Sequence, residues 1–566
     1  MTVYLFAVII YNQMTRVHAD AKLGGGSYVS AMLAAKSYRH IPWLSHFFEY
    51  LGRLGQGSLL ADFPVTQSIS LISGIEALYW IPDEFRLTSA ILLLGLLSLV
   101  QRFGLHRIGR FLIWPVVTFY ATNLAINAFG VAQIAYHGWT RPIMHLSENT
   151  IEGMVPLTFH AIANGATLIT GVEVGYSSVN VPHSGHRAVR VSMWILYALV
   201  LVTYGMQLVN FLGLGVTYDG SLPVPILIAK TLGGKYLAIP FGILTAVMLV
   251  LAAQTAQSDF PLGLLRMARA DLLPRGLGDA SWRSVKTILS ERFRTHGGVY
   301  NPRGVVLLGI LSITVLVLFP TSHLMEGMYG LAVLMAMSIT VIGFLLRLLR
   351  VHRFPIFVFL GSLIFVAMML NILWNKFFEG AWVIVVFLAV YMLIFALSRS
   401  VYRLYRKRQN IISFDEVLSY PAFNRLPVNE TQALLVNSFH PGVMRFLKTF
   451  IKSGTMPLVL HFHTEESTDH PIFSAPWFRN IQVPLNRDII STIVEFVHEN
   501  RFQRIHLVPV LVSGKFPFTN YFFGNAITQL SLSLSEVTDL QVEYNKERVN
   551  IRTLEIIKDA FSSDAK

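Results

Sequence analysis

The feature that most constrains this chain is its succession of long apolar runs, which continue with few interruptions up to about Leu397. Crossing the roughly 30 Å hydrocarbon core of a bilayer takes about 20 apolar residues in a helix. In lipid only a helix or a closed barrel satisfies its own backbone hydrogen bonds. The runs predict ten spans: Ser58–Trp80, Leu87–Arg102, Phe111–Tyr136, Phe159–Val179, Ser192–Leu214, Leu237–Leu264, Val305–Leu318, Met325–Leu346, Pro355–Leu373 and Ala381–Leu397. Composition agrees, since 53% of the 566 residues are hydrophobic and 14% are charged, against about 25% charged in a soluble domain. The chain reads as a polytopic, all-α membrane protein.

Ahead of these spans lies "MTVYLFAVIIYNQM", whose apolar core of about 10 residues reaches roughly 15 Å as a helix and is too short to cross. It has neither the basic start nor the small-residue cleavage site of a signal peptide. It reads as a stub of a helix.

The net charge of +13 could suggest a nucleic-acid partner, but its placement argues otherwise. Basic residues crowd every second loop: Arg102, Arg107 and Arg110; Arg187 and Arg190; Arg266, Arg269 and Arg275; Arg347, Arg350 and Arg353; and Arg399 to Arg408. Intervening loops carry few. Positive loops face the cytoplasm, so the expected topology is multi-pass in a bacterial inner or cell membrane, with the C-terminus cytoplasmic and no nucleic-acid polymer as partner. The chain has no cysteine, which excludes disulfides, thiolate nucleophiles and Cys-ligated metals.

Past the basic run the pattern changes. "QALLVNSF", "MPLVLHFH", "RIHLVPVLV" and "LQVEYN" read as strands, while "PGVMRFLKTFIKSG" and "DIISTIVEFVHENR" read as amphipathic helices. Such alternation predicts a small α/β domain with a mainly parallel sheet. The division is therefore a transmembrane domain over 1–408 and a cytoplasmic α/β domain over 409–566. No glycine-rich phosphate motif occurs in the latter. His461, His463 and His470 are read as surface or core histidines rather than a metal site, and the domain as regulatory or dimerising rather than catalytic. No cofactor is expected, and no hydrolase or transferase constellation emerges.

Polar groups at membrane depth are expensive and tend to mark function. In "LADFPVTQSIS", Asp62, Thr66 and Ser70 recur every four residues and so share one helix face. A carboxylate and two hydroxyls in line make an oxygen-rich stripe, the chemistry hard cations prefer. The bland alternative is that the hydroxyls bond back to their own helix. In "TLITGVEVGYSS", Gly171 and Gly175 each cost about 1 kcal/mol against alanine in a helix and flank Glu173, beside Thr170. The pattern predicts an unwound helix, tolerated at this depth only inside protein or around a cavity, where freed carbonyls bind ions. Tyr329 in "EGMYGLAV" is balanced between an interfacial anchor and a gate. Asn123 and Asn127 read as ties to neighbouring helices, and Asp259 beside Gln254 and Gln257 is a weaker site.

Four motifs then coincide. "GGGSYVSAML" resembles the cytoplasmic loop after the second helix of the amino acid–polyamine–organocation (APC) superfamily, and "LLADFPVTQSISLISGIEAL" its third helix. "GATLITGVEVGYSS" resembles its unwound sixth helix, and "QSDFPLGLLRMARADLLPRGL" its eighth helix and following loop. Together they are most similar to the KimA-type potassium importers. The resemblance implies a LeuT-type inverted-repeat core, here N-terminally truncated, with its first helix absent and its second a stub. It implies that potassium is bound by Asp62, Thr66, Ser70, Thr170 and Tyr329, and that Glu173 or Asp62 carries a coupling proton. Phe63 and Pro64 depart from the pattern, since the branch usually has tyrosine at Phe63. It further implies a homodimer and a cyclic dinucleotide on the cytoplasmic domain. The leading expectation is proton-coupled potassium symport. The alternatives are an amino acid permease of the same superfamily and a non-transporting membrane sensor.

Overall fold

The computed structural model describes residues 2–19, 26–38, 40–102, 109–139, parts of 158–165, 185–216, 222–278, 302–350, 355–409, 416–417, 421–436, 439–464, 475–483, 489–508, 510–513, 541–544 and 549–552. They fall into two compact units, one formed by Met1–Phe260 with Val305–Met392 and one by Pro261–Gly304 with Leu393–Lys566.

The first unit is helical throughout its described part. Its helices are α1 (Thr2–Ala19), α2 (Gly26–Ser37), α3 (Pro42–Glu76), α4 (Asp83–Arg102), α5 (Gly109–His137) and α6 (Gly185–Gly213). Then follows α7 (Val224–Arg269), which continues past this unit. Six helices, among the described residues, are long and apolar enough to cross a membrane. They include Trp114–His137, Val189–Gly213 and Val224–Pro261, and three later ones described next. The chain is thus a multi-pass membrane protein, and no more than a part of the fourth expected span, Phe159–Val179, lies within the described residues.

Two helices differ from the sequence reading. The stub is an 18-residue helix whose Ala7, Val8, Ile10, Tyr11 and Met14 are fully buried. Polar Asn12 and Thr15 do not end it: Thr15 Oγ1 donates to the Asn12 carbonyl at 2.8 Å. "GGGSYVSAML" is also no simple loop, because Gly26–Ser37 is helical and packs on α3 and α10 (Ser322–Arg350). Ser30 donates to the Thr340 carbonyl at 2.8 Å, and Gly343 lets the two backbones approach, since a Cβ there would lie 2.9 Å from the Ser30 carbonyl carbon.

Helix α3 starts at Pro42, well before the expected Ser58, because proline at the first helical position needs no donor partner. Gly52, Gly55 and Gly57 are buried in its first half, and α3 packs on α2 and α10. Helix α10 is the most enclosed span, buried along nearly its whole length. Helix α7 breaks at Gly233 (φ −139°) and Gly234 (φ +57°), the latter in a region open to glycine. Between α7 and α10 run α8 (Arg275–Gly278), in the second unit, and α9 (Pro302–Leu318). After α10 come α11 (Ile356–Asn375), a wide π-helical turn over Phe377–Ala381, and α12 (Trp382–Gln409).

In the second unit, a short helix α13 (Pro421–Asn424) precedes a five-stranded parallel sheet. Its strands are β1 (Val428–Val436), β2 (Met456–Thr464), β3 (Phe478–Val483), β4 (Arg504–Leu507) and β6 (Gln541–Tyr544), in the order β3-β2-β1-β4-β6. Crossovers are made by α14 (Pro441–Ser453), closed by Gly454 at φ +74°, and α15 (Ile489–Glu499). The expected α/β architecture is present. The run "RIHLVPVLV" divides, however, into β4 and β5 (Val510–Ser513), and β5 pairs with β7 (Val549–Arg552) in a separate two-stranded sheet. Proline between them cannot donate to a ladder.

Candidate ion site on the third helix

The sequence stripe survives as a buried line on α3. Asp62 and Ser70 are each 7% exposed, and Thr66 between them is half-buried. Thr66 Oγ1 donates to Asp62 Oδ1 at 2.9 Å. This is not the bonding the bland alternative expects: Thr66 spends its proton on the carboxylate rather than on its own helix. Its lone pairs are left as acceptors beside an acidic oxygen. Among the described residues Asp62 enters no ion pair. A buried carboxylate without a basic partner is costly unless a cation or a proton accompanies it.

The opposite face of α3 anchors the stripe. Pro64 has no N–H, so the Leu60 carbonyl loses its helical donor and the helix is locally weakened. Side chains brace it there. Ser68 donates to the Pro64 carbonyl at 2.7 Å and lies 3.0 Å from the Ser312 carbonyl, while Ser312 donates to Gln67 Oε1 at 2.8 Å. Gln67, Ser68 and Ser312 are fully buried. Below the stripe, Ser58 donates to the Ala332 carbonyl of α10 at 2.6 Å. Phe63, at the position that departs from the resemblance, packs edge-on against Phe260 with ring centroids 6.1 Å apart. Its role is apolar packing.

Tyr329 belongs to α10. At the far end Glu76 grips Ser322, with its carboxylate oxygens 3.1 Å from the backbone nitrogen and 2.6 Å from Oγ. The Ser58–Ala332 and Glu76–Ser322 contacts bracket an antiparallel pair, and Tyr329 lies on the α10 segment between them. It is half-buried against the main core. The three stripe residues lie on α3 and Tyr329 on the helix packed against it. Thr170, Gly171, Glu173 and Gly175 lie outside the described residues.

The weaker candidates are helix ties. Asn127 donates to the side chain and backbone oxygens of Asn123 at 2.8 Å, and Asn210 of α6 donates to both oxygens of Asn127 at 2.9 and 3.1 Å. Gln207 joins Asn123 at 3.3 Å. Gln254 pairs with Gln101, and Gln257 with Ser98 at 2.9 Å, which fastens α7 to α4. Sequence reasoning missed Gln207, Asn210 and the Gln67–Ser312 brace. The three-residue step from Gln207 to Asn210 on one helix face was the available signal. His461 is buried with Nδ1 3.0 Å from the Val436 carbonyl, and His470 lies outside the described residues. Among the described residues no group of histidine and acidic side chains could hold a metal.

With that geometry in place, comparison with known proteins is decisive for the family. Residues 1–402 match the family described as the K+ potassium transporter integral membrane domain. The chain belongs to that family. It is 24% identical over 413 residues to "Potassium transporter KimA" of Bacillus subtilis (strain 168), an overlap of 69% of this chain and 62% of that protein. It is 25% identical over 335 residues to "Probable potassium transport system protein Kup" of Acidiphilium cryptum (strain JF-5), covering 55% and 47% respectively. A protein of the same name from Cutibacterium acnes (strain DSM 16379 / KPA171202) is 25% identical over 514 residues. The chain spans about half to three-fifths of the length of the first two relatives. The resemblance read from the motifs is upheld.

Proposed function

We propose that this protein imports potassium across the cell membrane as a proton-coupled secondary transporter. The observation that carries the reading is the buried Asp62–Thr66 pair, a carboxylate that among the described residues has no basic partner, accepting from a hydroxyl that can still offer its oxygen to a cation. Membership of a potassium transporter family and relatives named for potassium support it. The cation is held by Asp62, Thr66 and Ser70 on α3, with Thr170 and Tyr329 completing its oxygen shell. Hydroxyl and carboxylate oxygens replace the water it sheds. Glu173 or Asp62 exchanges the coupling proton, and Gly171 and Gly175 let the chain unwind around the site. Transport proceeds by rocking of helices about this site, without covalent chemistry.

The orientation proposed follows the basic loops: the C-terminus is cytoplasmic, and residues 409–566 form a regulatory or dimerising domain. A cyclic dinucleotide is a candidate ligand of that domain. The amino acid permease reading gains nothing from relatives named for potassium.

Rubidium uptake into vesicles carrying an imposed pH gradient is the test. Asp62→Asn and Glu173→Gln are expected to abolish gradient-driven uptake. Uptake that persists unchanged in both would overturn the reading, and uptake of a labelled amino acid competed by potassium would revive the permease. A wild-type protein that moves neither substrate would point to the sensor.

A further inference from the structure

Among the described residues of the membrane unit, an ion pair with a buried lysine lies away from the candidate site. Lys376, between α11 and the π-helical turn, has a side chain only 4% exposed, and its Nζ is 3.0 Å from Glu326 Oε2 on the first turns of α10. The other oxygen of Glu326 is 3.4 Å from His323 Nδ1. The backbone around the pair is equally close. A Cβ at Gly327 would lie 3.2 Å from the Lys376 carbonyl and 3.3 Å from that of Glu379. Gly380, at φ +116°, would meet the Leu324 carbonyl at 2.8 Å with a Cβ. The start of α10 is therefore gripped twice, by Glu76 from α3 and by Lys376 from the turn before α12. Lys376 is buried while Glu326 is a third exposed; loss of Glu326 would leave the buried ammonium uncompensated, so the pair favours one arrangement of the two elements.

We propose that Lys376 and Glu326 form a latch holding the first turns of α10 against the α11–α12 turn, and that its opening admits outer solution to the face of α10 one turn before Tyr329. The inference rests on the orientation proposed above, which puts this corner on the outer side. In that setting the pair positions the element carrying Tyr329 and does not itself touch the cation.

The cysteine-free sequence makes the test direct. Met325, fully buried beside the pair, becomes the reporter as Met325→Cys, and exposed Thr321 becomes the side marker as Thr321→Cys. Cells are treated with a membrane-impermeant maleimide. Thr321→Cys should label from outside, and Met325→Cys slowly. Adding Lys376→Met or Glu326→Gln should speed labelling of Met325→Cys at least tenfold. The exchanged pair, Glu326→Lys with Lys376→Glu, should return it to the slow rate, which misfolding would not do. Unchanged rates in both single variants, or fast labelling in the exchanged pair, would overturn the latch. Labelling of Thr321→Cys from the cytoplasmic side instead would overturn the orientation, and the Met325→Cys rates, read in inverted vesicles, would still decide the latch.

Discussion

Replacing Thr66 by valine isolates the chemistry of the α3 stripe, because valine keeps the shape and removes only the hydroxyl. In the resting structure that hydroxyl donates to Asp62 Oδ1 at 2.9 Å. A hydrogen bond to a charged group contributes about 1.5–3 kcal/mol. That bond persists when the cation enters and so cancels in the affinity; what valine removes from the bound state is the oxygen ligand itself, a polar contact to a charged group of the same order. At about 1.4 kcal/mol per factor of ten, the half-saturating rubidium concentration should rise roughly 10- to 150-fold. The maximal rate should be less affected, since the carboxylate is untouched. Thr66→Ser restores the hydroxyl and should restore most of the affinity. Initial rates of rubidium uptake across a concentration series, in vesicles with protein content matched, give both parameters. A half-saturation point within twofold of wild type for Thr66→Val would refute the reasoning and leave Thr66 as a structural tie to Asp62.

Three further outcomes test the surrounding frame. Gly343→Ala drives a methyl into the Ser30–Ala31 backbone, 2.9–3.0 Å away, and should cost about 1–3 kcal/mol; an unchanged melting temperature in detergent would contradict the close packing of α2 on α10. Asn210→Ala and Asn127→Ala each remove the α5–α6 amide tie and should cost about 0.6–2 kcal/mol, with the double variant costing clearly less than their sum; strict additivity in thermal melts would show that the two side chains do not share a bond. In the α/β domain, burial depresses the His440 imidazole, with nearby Arg445 adding to the effect and a backbone bond at Val508 opposing it. The unfolded chain then binds the proton more readily, so stability is intact above the ordinary imidazole value of about 6.5 and falls as pH drops toward the folded value. Hydrogen exchange over β1 and α14 should quicken on acidification below that point and lose part of this dependence in His440→Gln; an identical pH profile in the variant would remove His440 from the account.

How much of this was legible in the sequence depended on whether a signal was local. Asp62, Thr66 and Ser70 could be placed on one face because helical periodicity is a property of three residues and their spacing. What Thr66 would do with its proton was not legible, since back-bonding to the helix and bonding to Asp62 use the same spacing. The tertiary environment decides between them. The strands of the α/β domain were readable from their apolar runs, but the division of β4 from β5 needed the proline to be read as a stop, and β3 carries too little pattern to announce itself. The ties were least legible. Ser312 contacts α3 from 245 residues away in sequence, and Lys376 finds Glu326 from 50.

Those long-range ties also say why the stripe is a credible place for an ion. Pro64 removes a hydrogen bond from α3 one turn from Asp62, which should leave the helix soft where a binding site needs rigidity. Side chains compensate: Gln67 and Ser68 on the far face are locked to Ser312, and Ser58, one turn below Asp62 on the stripe's own side, to the α10 backbone, while among the described residues Asp62, Thr66 and Ser70 show a single bond, internal to the stripe. The Pro64 region and the foot of the stripe are thus held by packing against α9 and α10. The buried Asp62–Thr66 pair on a helix braced in this way, more than the presence of an aspartate at depth, is what supports the proposed cation site.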